Sequence, residues 1–399
     1  MDGIEKIKIF EFDTSNEKKE YLIEFEDRYF EASFFVAHLI KTLKEFPALK
    51  EAVDVFRGPK NQKYSEKEFM GLIDKFIMPI LESTKTKKED SLLFKIELVS
   101  KKQVEKFSNL LKYLFRKYLI IVFLSIFLAF EVLFVIFSSE LLNLGTLNIY
   151  FVVGIIGLML VFSFIHELGH ASACKYFNVE HGEVGFGLYL NFPVFYTDVS
   201  NVWKLPKQQR IIVNLAGVYF QIIILNFIFC AYFLTYNNFI KYFIIASNIG
   251  LLSTLNPFFK FDGYWIASDL LGVANLRRRS REFISYMFNR LFKRNIQRKP
   301  YLLMMKKKEK IFMAIYSIVV NFFFAFYVFY IIPVFLYSFF LIFPNNVTQL
   351  VTSLSNDISP SFNLIQAIFT QLLFFVLIIL LLCKMIIIPL IKQLLTKRS

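Results

Sequence analysis

The chain has 399 residues, of which 56% are hydrophobic and 51 are phenylalanine, with a mean hydropathy of +0.50. This composition excludes an ordinary soluble domain and requires several membrane spans. The formal net charge of +14 is not read as a nucleic-acid footprint. The basic runs Arg277-Arg278-Arg279 and Lys306-Lys307-Lys308 flank apolar segments, as Lys and Arg facing anionic lipid do.

Residues 1–118 read as a small α+β domain. Lys6 to Phe12 and Tyr21 to Glu26 alternate like strands, with the polar turn Thr14-Ser15-Asn16 between them. Arg28 to Lys44 carries Phe34, Phe35, His38, Leu39 and Leu43 at helical spacing, and His38 is assigned to the small core with no chemistry. Ser65-Glu66-Lys67-Glu68 is a capping box that opens a helix through Met78, ahead of Pro79. Leu92 to Val99 reads as a last strand. The first apolar span begins near Leu119, so no cleavable signal peptide is read at the start and a folded domain precedes the membrane.

Six spans are expected, at 119–137, 149–166 continuing to 177, 211–232, 243–255, 311–332 and 365–388. The fourth is short and runs into Asn256-Pro257, like a broken helix lining a site. Segments 138–148 and 333–371 carry no Lys or Arg, whereas the flanks at 116–117, 204–210, 277–310 and 392–398 are basic. The positive-inside rule then puts both termini, and the end of the second span that carries His170, on the cytoplasmic side. Between the second and third spans, Gly182, Gly185 and Gly187 alternate with apolar residues as far as Tyr196. This stretch reads as extended chain or a hairpin dipping into the bilayer, which is tolerated only where it lines protein or a wet cavity. Such an edge could pair with an extended substrate. The cysteines Cys174, Cys230 and Cys383 are isolated and suggest no disulfide framework or metal knuckle.

The chemistry sits in His166-Glu167-Leu168-Gly169-His170, which follows an uncharged apolar run from Phe151 to Ile165. Residues four apart on a helix lie about 40° apart around its axis, so both imidazoles share a face. Two histidines so placed can hold one Zn²⁺, with Glu167 beside them as general base. A catalytic zinc usually takes a third protein ligand. His181, in the Gly-rich stretch, is read as a surface residue. Asp262 is the best candidate, because Pro257 breaks the preceding helix and Gly263 permits a tight turn. Asp198, Glu183, Asp269 and Glu131 remain competitors, Glu131 because an acidic group inside a span is costly.

His-Glu-Leu-Gly-His on a membrane helix, followed by Asn256-Pro257 and Asp262-Gly263, resembles the site-2 protease family of intramembrane zinc metalloproteases. The resemblance implies that His166, His170 and Asp262 bind zinc, that Glu167 is the general base, and that Asn256 helps position substrate. It covers about residues 149–270. Within it, the segment 184–210 with Trp203-Lys204-Leu205-Pro206, and then Asn214-Leu215-Ala216-Gly217, looks like the bacterial peptide zinc metalloprotease branch. One departure is Phe259, where the usual motif has its proline. The strands, Asp27-Arg28-Tyr29-Phe30 and Ser65 to Glu68 look like the PqqD-like winged-helix domains of peptide maturation systems, which bind a leader peptide as an added strand.

The expected architecture is therefore a polytopic α-helical protein of the bacterial cytoplasmic membrane. It comprises a cytoplasmic winged-helix-like α+β domain over 1–118, a membrane metalloprotease core over 119–273, a basic cytoplasmic segment over 274–310 and C-terminal transmembrane helices over 311–399. The expected activity is zinc-dependent hydrolysis of a peptide bond in or near the membrane, on a membrane-associated or precursor peptide, in peptide maturation or export. The alternative is a membrane transporter or immunity-type protein that binds peptides without cutting them.

Overall fold

The computed structural model describes residues 3–58, 62–83, 92–137, 149–189, 192–293 and 299–382. The expected uncharged loop 138–148, Cys383 and the basic stretch 392–398 lie outside the described residues. The chain divides into two compact units, Met1–Met313 and Ala314–Ser399.

The first unit opens with an antiparallel meander of β1 (Lys8–Phe12), β2 (Glu20–Phe25) and β3 (Arg28–Ser33), in the order β1-β2-β3. The helical spacing expected from Arg28 onward begins only at Phe34, because Arg28–Ser33 is a strand. Glu26 and Asp27 both take positive φ, 45° and 59°. They form the two-residue turn that pairs Phe25 with Arg28. Alternation along β3 then turns Phe30 and Ala32 to the core. Helix α1 (Phe34–Glu45) starts only after this strand and is followed by α2 (Leu49–Val55), α3 (Glu66–Phe76) and α4 (Met78–Glu82). The Ser65–Glu68 capping box is formed at the start of α3. These elements enclose Ile7, Ile23, Leu39, Ile40, Phe56, Phe69 and Ile73. His38 stacks between Phe34 and Phe56, at 5.9 and 5.2 Å between ring centres.

The strand expected to close this domain, β4 (Leu92–Val99), belongs to a second sheet. It pairs antiparallel with β5 (Val184–Tyr189), which pairs with β6 (Phe192–Thr197). The extended segment inferred after the second span is thus a hairpin with a third strand supplied from far upstream. Helix α5 (Lys101–Leu111), with its own Ser100–Gln103 capping box, then leads into α6 (Lys117–Phe137), α7 (Ile149–Tyr176), α8 (Lys207–Thr235), α9 (Asn238–Thr254), α10 (Asp262–Leu270) and α11 (Leu276–Leu291).

Among the described residues, five helices are long and apolar enough to cross a membrane: Lys117–Phe137, Tyr150–Tyr176, Lys207–Thr235, Lys307–Ser355 and Phe362–Leu380. The expected span at 243–255 corresponds to α9, whose 17 residues fall short of the roughly 20 that a bilayer core requires. Helix α8 is the packed centre, with 61% of its apolar window buried against 6% for α6 and 11% for α7. The apolar surface that α6 and α7 leave bare is what lipid would cover.

The second unit begins within α12 (Lys307–Phe326), which continues through a π-helical turn, Tyr327–Ile331, into α13 (Ile332–Ser355). The span expected at 311–332 therefore runs on beyond Ile332, although Pro333 follows. The wider π turn lets the helix run on past that proline, which lacks an N–H and crowds the preceding turn. Helix α14 (Phe362–Leu382) packs back on α13, with Phe339 and Phe375 stacked at 4.2 Å and Asn346 Nδ2 donating to Gln371 Oε1 at 3.2 Å.

Candidate metal centre

Helices α7 and α8 cross where both carry glycine. A Cβ on Gly169 would overlap the Ala216 carbonyl, and one on Gly217 would overlap the His166 ring. The two backbones therefore approach closely enough to bury His166 and His170 between them, at 8% and 6% exposure. Helix α8 then fixes both rings. His170 Nδ1 lies 2.7 Å from the Val213 carbonyl oxygen, and His166 Nδ1 lies 3.2 Å from Gln221 Oε1. The Gln221 amide is oriented by its own Nε2, which donates to the Phe162 carbonyl at 3.5 Å.

Asp262 reaches the same place from α10. After α9 the chain turns at Asn256, whose Oδ1 accepts from Phe258 N at 2.8 Å, a local turn that asparagine favours. Arg277 Nη2 pins this turn by donating to the Phe258 carbonyl at 2.7 Å. A Cβ on Gly263 would overlap the Leu255 carbonyl, so glycine is required for α10 to start against the end of α9. Asp262 Oδ2 thereby lies 2.9 Å from His166 Nε2 and 3.3 Å from His170 Nε2. The two Nε2 atoms are 3.1 Å apart.

The donor set fits a metal ion. The oxygen facing each Nδ1 can only accept, so each neutral ring carries its proton on Nδ1 and a lone pair on Nε2. Two lone pairs and the carboxylate Oδ2 of Asp262, itself without a hydrogen-bond donor, thus converge in a buried space. Three such acceptors repel unless a cation lies among them. Zinc bonds of about 2.0–2.2 Å in a tetrahedron put ligand atoms roughly 3.3 Å apart, close to the separations found here. Among the described residues, His166, His170 and Asp262 form the group of metal-ligating side chains whose ligand atoms lie within 4.8 Å of one another.

The competitors are placed otherwise. Asp269 accepts from Arg210 Nε at 2.6 Å and from Asn214 Nδ2 at 2.9 Å. Asp198 accepts from the Ser200 amide and hydroxyl at 3.0 and 2.6 Å. Glu183 and Glu131 are not in the group. His181, read as a surface residue, is 2% exposed. Its Nε2 lies 3.0 Å from Ser108 Oγ and its Nδ1 2.8 Å from the Gly182 carbonyl, and burial pushes its pKa below the usual histidine value. Glu167, half-buried, follows His166 on α7. Its backbone carbonyl accepts from Thr197 Oγ1 at 3.2 Å, and Phe164 and Phe195 meet edge to face at 6.2 Å. Strand β6 therefore lies alongside the motif.

Sequence reasoning missed the groups that orient the histidines. Gln221 carried a signal, as a polar side chain in an apolar run, one turn from Gly217 and two from Asn214 on one face of α8. The Val213 carbonyl carried none.

No family model matches the chain, and no solved structure matches it. Over 138 residues, 33% of the chain, it is 30% identical to the Bacillus subtilis (strain 168) protein named "Putative peptide zinc metalloprotease protein YydH". The matched stretch is 49% of that protein, so the chain spans about half the length of this curated relative.

Proposed function

We propose that the protein is an intramembrane zinc metallopeptidase that hydrolyses a peptide bond at or near the bilayer, in maturation or export of a membrane-associated or precursor peptide. The observation that carries this reading is the convergence of His166 Nε2, His170 Nε2 and Asp262 Oδ2 within 3.3 Å of one another, inside helices whose outer faces are apolar. The name of the matched relative points the same way. His166, His170 and Asp262 would hold the zinc, which when bound would lower the pKa of a water to about 7 and polarise a carbonyl. Glu167 takes the proton from the attacking water and delivers it to the leaving nitrogen as the C–N bond breaks. The carbonyls of a substrate helix are already hydrogen-bonded, so the substrate must be extended to be cut. The β5–β6 hairpin beside Glu167 offers backbone groups to hold it so, and the turn at Asn256 borders the site from the α9 side. The amino-terminal domain serves as the recognition module for the precursor. The protein sits in a bacterial cytoplasmic membrane with both termini inside.

The test is elemental analysis of detergent-purified protein, with His166→Ala and Asp262→Ala alongside. About one zinc per chain, lost or strongly weakened in both variants, is expected. Wild-type protein that takes up no zinc after reloading would refute the metal reading and leave a non-catalytic peptide-binding protein.

A further inference from the structure

The turn Thr14-Ser15-Asn16 does more than join two strands. It is inserted among the elements that support the metal centre. The Ser15 amide donates to the Gly272 carbonyl at 3.0 Å, and the Ser15 carbonyl accepts from Lys306 N at 3.0 Å. Ser15 is fully buried. Just before it, the Asp13 carbonyl accepts from Arg210 Nη2 at 3.3 Å, and the Asp13 carboxylate accepts from the first amide of α8, Lys207 N, at 3.4 Å.

Gly272 is the left-handed residue, φ 58°, that ends α10. The Gly272 amide donates to the Asp269 carbonyl at 3.0 Å and Val273 N to the Ser268 carbonyl at 2.9 Å, the double closure of a Schellman cap. A Cβ on Gly272 would overlap Ser15 Oγ, so Ser15 fits the cap only because a glycine is there. One turn earlier, Asp269 grips Arg210 and Asn214 of α8. The Arg210 and Asp269 side chains are 3% and 7% exposed, and the guanidinium also lies over the Phe12 ring at 5.1 Å.

Helix α10 is nine residues long, with Asp262 at one end and this clamp at the other. A helix that short moves as a rigid body, so what fixes its far end fixes Asp262. Helix α8 carries the Val213 carbonyl and Gln221, which aim the two histidines, and it is held by the same Arg210. We propose that the Arg210–Asp269 pair and the Ser15 plug form a latch. Docking of the amino-terminal domain sets the position of α10, and through it the third ligand. Arg210 and Asp269 are positioning residues, and the amino-terminal domain is structurally part of the metal centre. This inference builds on the metal assignment proposed above.

Ser15→Leu prevents the plug from seating, and Asp269→Asn weakens the clamp without adding bulk. Tyr29→Phe is the control, because it removes a different contact of the same domain, Tyr29 Oη to Asn201 Oδ1 at 2.8 Å. Hydrogen exchange of the α10 amides is read in zinc-free protein, and zinc affinity by chelator competition. Ser15→Leu and Asp269→Asn are expected to speed α10 exchange and to weaken zinc binding about 10–100-fold, as loss of supporting groups does. Tyr29→Phe should change neither. Unchanged α10 exchange and unchanged zinc affinity in both test variants would overturn the latch. If wild-type protein holds no zinc, the metal reading fails on its own, and α10 exchange alone decides the latch.

Discussion

Gly217→Ala tests the crossing of α7 and α8 on which the centre depends. The added methyl would overlap Cε1 and Nε2 of His166 and stand 2.6 Å from its Cδ2. Carbon atoms in contact want about 3.5 Å, so the ring must retreat by about 1 Å or the helices must part. Overpacking of this kind costs about 1–3 kcal/mol, and the better helix propensity of alanine returns up to about 1 kcal/mol. The expected net loss in metal-free protein is therefore about 0–3 kcal/mol. The effect on zinc should be larger, because ligand positions tolerate only about 0.2 Å. Gly157→Ala on α7 is the internal control, since a Cβ there meets nothing within 4 Å. It should leave zinc binding unchanged and leave stability equal or slightly higher. Thermal unfolding of the metal-free proteins and zinc competition read both variants. Equal zinc affinity in Gly217→Ala and Gly157→Ala would refute the close-packed crossing.

Glu167→Gln should retain a full zinc complement and lose turnover on any peptide the wild type cleaves; cleavage at the wild-type rate would remove Glu167 as the base. Gln221→Leu takes away the partner of His166 Nδ1 and should weaken zinc about 10–100-fold while Glu167 stays in place, and an unchanged zinc affinity would mean that the hydrogen bond does not orient the ring. Burial depresses the pKa of His181, so the folded state favours the neutral ring; the stability this provides is complete above the unfolded value near pH 6.5 and is lost as pH falls through the lower folded value. Thermal melts from pH 8 to pH 5 should therefore fall more steeply for wild type than for His181→Ala, and parallel curves would count against a buried neutral histidine.

What the sequence made legible is local. His166 and His170 announce themselves because four-residue spacing on a helix is a short-range fact, and the chain has only 4 histidines to confuse it. The turn before Asp262 was visible in Asn256, Pro257 and Gly263, yet the choice among five carboxylates was not, because which one meets α7 depends on how α10 is tethered. The β3 strand was hidden by its turn, where Glu26-Asp27 takes the left-handed pair that Asn-Gly would have advertised. The partner of β4 lies some ninety residues downstream in β5, beyond any local pattern. His181 looked superficial in a Gly-rich stretch, and only the packing of α5 beside it, with Ser108 as its partner, makes it internal.

The distribution of polarity ties these pieces together. On α7, Leu158 and Val161 are 41% and 56% exposed, while His166 and His170 are buried. On α8, Phe227 is 63% exposed, while Arg210, Gln221 and Asn226 are buried. This is the reverse of a water-soluble protein, and it suits lipid, where apolar groups face outward at no cost and each polar group needs a partner inside. Arg210 and Gln221 have such partners in Asp269 and His166, and Asn226 Nδ2 donates to the Phe123 carbonyl while its buried Oδ1 has no partner. At the point where Asp262 meets the two histidines the balance fails, because acceptors face acceptors. Intramembrane polar groups are costly to keep, and the ones here are arranged around a deficit of positive charge that a divalent cation would cancel. The second sheet borders this point: β6 reaches the backbone carbonyl of Glu167 through the Thr197 hydroxyl, which donates to it at 3.2 Å.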